Sequence, residues 1–150
     1  ILVADGCHGA PLVALAGRLS AEGASPQFIA PRLGTVMTTD EAEIEADASL
    51  AATASVLYDA IVLPDGADAV DELQADGRTL EFIKDQYRHC KPLLAWGEGV
   101  QLLDVCGIAT ADPDPGLIIA TGSSAKAGDR FVEAVAKHRH FDRETDPPRV

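Results

Sequence analysis

Short aliphatic runs alternate with amphipathic stretches along the chain, the pattern of a parallel sheet covered by helices on both faces. Residues 1–4, Ile-Leu-Val-Ala, read as a first strand. Gly6 and Gly9 then permit a tight turn, and Pro11 suits a first helical turn. Leu12, Val13, Leu15, Ala16 and Leu19 give that helix an apolar face, which Gly23 ends. Residues 26–30 supply a second strand, parallel to the first by the handedness of such crossovers. Residues 35–38 and 43–45 flank the acidic turn Asp40-Glu41 and predict a small hairpin.

Further along, residues 49–57 are expected to include a short helix, and residues 59–64 predict a fully buried strand that runs into an Asp65-Gly66 turn. Two helices follow, over 67–73 and 79–89, the second with Leu80, Phe82, Ile83 and Tyr87 for packing. Lys91-Pro92 ends that helix and starts a strand over 93–96. Beyond it comes a sharp turn and a helix with Val100, Leu103 and Val105 on its buried side, then a short segment at 107–109 and a strand at 117–120 that close the sheet. From residue 123 a last helix carries an apolar stripe of Phe131, Val132 and Val135, and residues 142–150 read as a frayed tail. No internal repeat is present.

Length and charge narrow the function classes. At 150 residues and 47% hydrophobic content, the chain is the size of one domain with one core. A formal charge of −12 opposes phosphate backbones and anionic lipid, so neither nucleic acid nor a membrane surface is an expected partner. Its apolar runs fall far short of the roughly 20 residues that span a bilayer. Cys7, Cys90 and Cys106 match no metal framework and predict reduced structural thiols, which favours a cytoplasmic setting and leaves secretion of a parent protein open. The opening on a core strand, without Met or a basic leader, predicts a fragment of a longer chain.

In a parallel α/β sheet the functional crevice lies beyond the carboxyl ends of the strands. Three groups fall there: residues 5–8, residues 65–68, and Gly97-Glu98. Strand 93–96, its turn and the following helix are built like the elbow on which many α/β hydrolytic enzymes mount a nucleophile, but the apex is Gly97, which has no side chain to attack with. Cys7-His8 has two readings. An imidazole beside a thiol can activate it, whereas a buried Cys7 beside a solvent-facing His8 is structural. Glu98 reads as a general base or as a carboxylate at a helix N-terminus, and Asp65 and Asp68 as caps or turn residues. His138 and His140 would diverge on a helix and make no metal pair, and the first turn lacks the G-x-G-x-x-G needed for a dinucleotide.

The succession Ile1-Leu-Val-Ala-Asp-Gly6, Val62-Leu-Pro-Asp-Gly66, Lys91-Pro-Leu-Leu-Ala-Trp-Gly-Glu-Gly99 and Phe131 to Glu144 resembles the C-terminal domain of large-subunit haem catalases. The ending Lys137-His-Arg-His-Phe-Asp-Arg-Glu144 is its most specific piece. That domain is similar in turn to PfpI-type proteases and deglycases of the class I glutamine amidotransferase superfamily. The resemblance implies a flavodoxin-like three-layer α/β sandwich, with a mainly parallel sheet, as a single domain over 1–150. In those hydrolases the elbow reads approximately Ala-x-Cys-His-Gly, so Gly97 stands where the cysteine belongs and Glu98 where its histidine belongs. Cys7-His-Gly-Ala-Pro11 copies the elbow's wording but follows the first strand, so the nucleophile role is not transferred to Cys7.

What the resemblance implies is a non-catalytic accessory domain without catalytic residue, cofactor or metal of its own. Its parent would convert hydrogen peroxide to water and oxygen with a haem held in an upstream barrel. Its partners would be the rest of the catalase chain, the homotetramer and, as in relatives of this fold, unfolded protein clients. The alternative is a residual thiol-dependent peptidase or deglycase using Cys7 or Glu98.

Overall fold

A computed structural model describes residues 1–122 and 124–144. The extended segment at residues 1–4 runs through the middle of the sheet. On one side it pairs in parallel with β1 (Ile29–Ala30), where Val3 N–H donates to the Ile29 carbonyl at 2.9 Å. On the other, Leu2 N–H donates to the Val62 carbonyl in β5 (Ile61–Leu63) at 3.0 Å. β1 also pairs in parallel with β4 (Ala48–Ser49), while β5, β6 (Leu93–Trp96) and β7 (Leu117–Ala120) are parallel neighbours. The full order is β4-β1-segment-β5-β6-β7, a flavodoxin-like arrangement with an added edge strand. Leu2, Leu63, Leu93, Leu94 and Ile118 are buried at 0% exposure, as both-faces burial demands of a parallel sheet. β2 (Thr35–Met37) and β3 (Glu43–Glu45) form the antiparallel hairpin that the acidic turn predicts.

Helices fall into two groups. α2 (Ala67–Ala75), α3 (Gly77–Arg88) and α4 (Val100–Val105) pack with one another, whereas α1 (Gly9–Ala21) meets α5 (Ala125–Ala136) through Leu15 beside Gly128 and an Arg18–Asp129 bond of 2.8 Å. α1 ends where Gly23, at φ +90°, lets Ala24 N–H reach back to the Leu19 carbonyl. α3 starts two residues ahead of the sequence expectation because Asp76 caps it, its carboxylate accepting from Arg78 N–H at 2.9 Å.

The short helix expected within residues 49–57 is one 3-10 turn at Ser55–Leu57, which follows β4, and its Ser55 carbonyl accepts from the side chains of Gln86 and Lys91. Three expectations need correction. Residues 107–109 are not a sheet element. Gly107, at φ +77°, closes α4, and Ile108 folds back so that its N–H donates to the Leu103 carbonyl while its side chain is buried. α4 buries Leu102 and Leu103 and leaves Val105 about half exposed, and Val13 likewise faces outward from α1. Finally, Asp142 to Glu144 are held: a tight turn spans Phe141–Arg143, and the Arg143 guanidinium is 3% exposed. Residues 145–150 of the expected tail lie outside the described residues.

Candidate functional site

The carboxyl ends of the segment at 1–4, β5 and β6 open on a cleft lined by Gly6, His8, Thr39, Asp65, Gly66, Asp68, Gly97, Glu98 and Thr121. The three groups singled out from the sequence therefore do meet. Gly97 sits at the apex of the turn after β6 with φ +48°, the left-handed backbone that an elbow requires. A Cβ placed on it would overlap the carboxylate of Asp65. That carboxylate is fixed: Oδ1 accepts from Gly66 N–H at 2.9 Å and from Glu98 N–H at 3.0 Å, and Oδ2 lies 3.4 Å from His8 Nδ1. Asp65 thus occupies the space where an elbow side chain would begin.

His8 is exposed and turned to Asp65, while Cys7 is at 0% exposure. Burial pushes the Cys7 thiol above its ordinary pKa, and the carboxylates of Asp40 and Asp5 push the same way, outweighing local backbone hydrogen bonds. Cys90 is raised chiefly by burial, and Cys106 is pushed up to about 11 by the same cause. An activated thiolate needs the opposite environment. Glu98 is exposed and extends into the cleft from the turn rather than from a helix of useful length.

Two features of the site escape sequence reading. Asp65 looks like a turn residue in Pro64-Asp-Gly66, but only the fold brings it under Gly97. Asp40, at the hairpin tip, reaches back to the first turn of α1, accepting from Gly9 N–H at 3.0 Å and Ala10 N–H at 2.9 Å. Desolvation of its oxygens against the start of α1 would raise its pKa, yet donation from the backbone of Ala10, Gly9 and Ala42 and from Thr38 holds the carboxyl below its usual range. His138 and His140 lie beyond the end of α5 and meet different partners. His138 lies 3.6 Å from Asp59, and buried His140 packs on Gly116 with its Nε2 3.2 Å from the Ala134 carbonyl. Among the described residues, no three His, Cys, Asp or Glu side chains converge to hold a metal ion, and no helix is long and apolar enough to cross a membrane.

Residues 1–145 match the C-terminal domain found in long catalases. Catalase C of Rhizobium meliloti is 37% identical over 144 residues, covering 96% of this chain and 20% of that protein. Catalase HPII of Pseudomonas putida is 33% identical over 149 residues, covering 96% of this chain and 19% of that one. The chain thus spans about a fifth of the length of these relatives. Among solved structures, Drosophila melanogaster DJ-1beta superimposes with a TM-score of 0.77 at 18% identity, over 92% of this chain and 87% of that one. A two-domain protein of Anabaena variabilis containing DJ-1/ThiJ/PfpI-like and ferritin-like domains gives 0.82 at 15% identity, over 90% and 47%. These likenesses establish the fold, and the sequence match establishes the lineage: the chain belongs to the family of C-terminal domains found in long catalases.

Proposed function

We propose that the chain is a non-catalytic accessory domain of a haem catalase, a single unit over 1–150 that supports the quaternary stability of a parent converting hydrogen peroxide to water and oxygen. The observation that carries this reading is the elbow: Gly97 offers no nucleophile, and the hydrogen-bonded carboxylate of Asp65 fills the space one would need. In this reading the haem resides in the parent's upstream domain, and no residue of this chain is assigned to it. The test is the parent enzyme with and without the residues equivalent to 1–150. Removal should shorten survival of the tetramer under heat or denaturant while peroxide turnover per haem at low temperature is kept, and an equally durable tetramer would overturn the proposal.

Holding of unfolded clients is a second role, supported by the outward-facing side chains of Leu33, Met37, Val56 and Leu57, each at least 66% exposed on an otherwise strongly acidic surface. Suppression of the aggregation of a heated client at stoichiometric amounts would support it, and no suppression would end it. Against the thiol of the hydrolase alternative stand the burial and raised pKa values of all three cysteines, while its other candidate, Glu98, lines the cleft.

A further inference from the structure

The hairpin of β2 and β3 carries an apolar side chain that does nothing for the core. In β2, Val36 points inward at 6% exposure, while Thr35 and Met37 point out. The outer face is otherwise polar: the Thr35 hydroxyl donates to Glu45 at 2.9 Å, and Met37 lies opposite Glu43. Met37 is 68% exposed although its backbone is fixed, its N–H donating to Asp5 Oδ1 at 2.9 Å and its carbonyl accepting from Gly6 N–H at 2.7 Å. It is the chain's single methionine. The remaining sulfur belongs to Cys7, Cys90 and Cys106, which are 0%, 3% and 4% exposed. Oxidants select sulfur by exposure and, for a thiol, by the fraction present as thiolate. Both are suppressed at the cysteines, because burial raises each thiol pKa. At Cys106, pushed up to about 11, roughly one molecule in ten thousand is thiolate at pH 7. A thioether has no proton to lose and needs only access.

We propose that Met37 is a modification site for hydrogen peroxide, and that the fold reverses the order in which the chain's sulfur atoms react. In the unfolded chain the thiolates, the stronger nucleophiles, are consumed first, whereas in the folded chain the Met37 thioether goes ahead of all three cysteines. A sulfur lone pair attacks one peroxide oxygen, the O–O bond breaks, and that oxygen stays on sulfur as the sulfoxide. The second oxygen leaves with the electron pair of the broken bond and takes the proton of its former partner. Sulfur has then lost two electrons, and the peroxide is reduced to water. The oxidised side chain is polar and solvated, and neither backbone bond of Met37 has to change. The site needs only peroxide and is independent of the accessory role proposed above.

The test treats the whole chain with excess hydrogen peroxide at neutral pH and follows it by mass spectrometry, peptide mapping and titration of its thiols. One oxygen atom should be gained, at Met37, at a rate within about threefold of that of free N-acetylmethionine amide, while all three cysteines still titrate. The rate should not change between pH 6 and 8, since no proton is lost from the thioether. In concentrated urea the order should invert, with thiols lost before the sulfoxide forms. The oxidised chain should melt at the temperature of the untreated one, because the modified side chain stands in solvent. Met37→Leu should take up no oxygen over the same interval, at an unchanged melting temperature. Thiol loss ahead of Met37 oxidation in the folded chain, a Met37 rate about tenfold or more below that of the free thioether, a lowered melting temperature after oxidation, or the same order of reaction in urea as in water would each overturn the proposal.

Discussion

At the scale of single residues, the relation between Asp65 and Gly97 is one of exclusion. A cysteine at 97 would have to adopt φ +48° and evict the carboxylate from its bonds to the Gly66 and Glu98 amides. Left-handed strain and the lost hydrogen bonds together predict that Gly97→Cys costs about 2–4 kcal/mol. Urea unfolding measures this, and adding Asp65→Gly should return part of the loss by vacating the space. A Gly97→Cys chain as stable as its parent would show that Asp65 yields without cost. The thiols give a second handle. Cys106 has its folded pKa raised by burial from 9.0 to about 11, so the stability it contributes is complete below pH 9 and disappears as pH rises through 11. Cys106→Val should therefore flatten the decline in unfolding free energy between pH 9 and 11.

At the scale of elements, one helix depends on a residue far from it in sequence. His8 precedes α1 without capping it by its side chain, and Asp40, about 30 residues later, takes over two of the helix's first N–H groups. Asp40→Ala should destabilise the fold by about 0.5–1 kcal/mol, the lower part of the capping range because the carboxylate is exposed. Since its folded pKa is lowered, this contribution is present above the ordinary carboxyl pKa and fades as pH falls through the lower folded value. Thermal melts of the two proteins at neutral and acidic pH should accordingly converge on acidification.

This pairing also marks the boundary of what the sequence made legible. The strands at 29–30, 61–63, 93–96 and 117–120, the helices and the hairpin all leave local signals, because periodicity, Gly and Pro are written in neighbouring residues. Gly97 at the apex of its turn was readable for the same reason. What stayed illegible depends on distance: the Asp40 cap, the seating of Asp65 under Gly97, and the capture of the Ser55 carbonyl by Gln86 and Lys91. Ile108 misleads for a related reason, since an apolar residue after Gly107 serves a helix end as readily as a strand.

For the whole molecule, the segment that made the sequence recognisable also fastens the fold. Arg143 forks onto Asp114, with Nη2 2.7 Å from Oδ1 and Nε 3.0 Å from Oδ2. It also donates to the Lys91 carbonyl at 2.8 Å and lies over the Tyr87 ring. The last described residues are thereby tied to the loop before β7, the entry to β6 and α3. Arg143→Ala leaves Asp114 largely buried without its partner and should cost about 3 kcal/mol. Arg143→Lys, which cannot make the two-pronged contact, should recover less than half of that. Denaturant titration of both variants checks the order, and near-native stability of the lysine form would mean that charge alone suffices.

The first few residues have a mechanical consequence. They are the seam between two half-sheets, joined to β1 by a ladder that includes Ile29 N–H to the Ile1 carbonyl at 2.8 Å, and to β5 through the Leu2 amide. Traction applied at Ile1 is therefore delivered to the interior of the sheet and not to a peripheral strand. The segment that organises the core would feel tension first, ahead of either half-sheet.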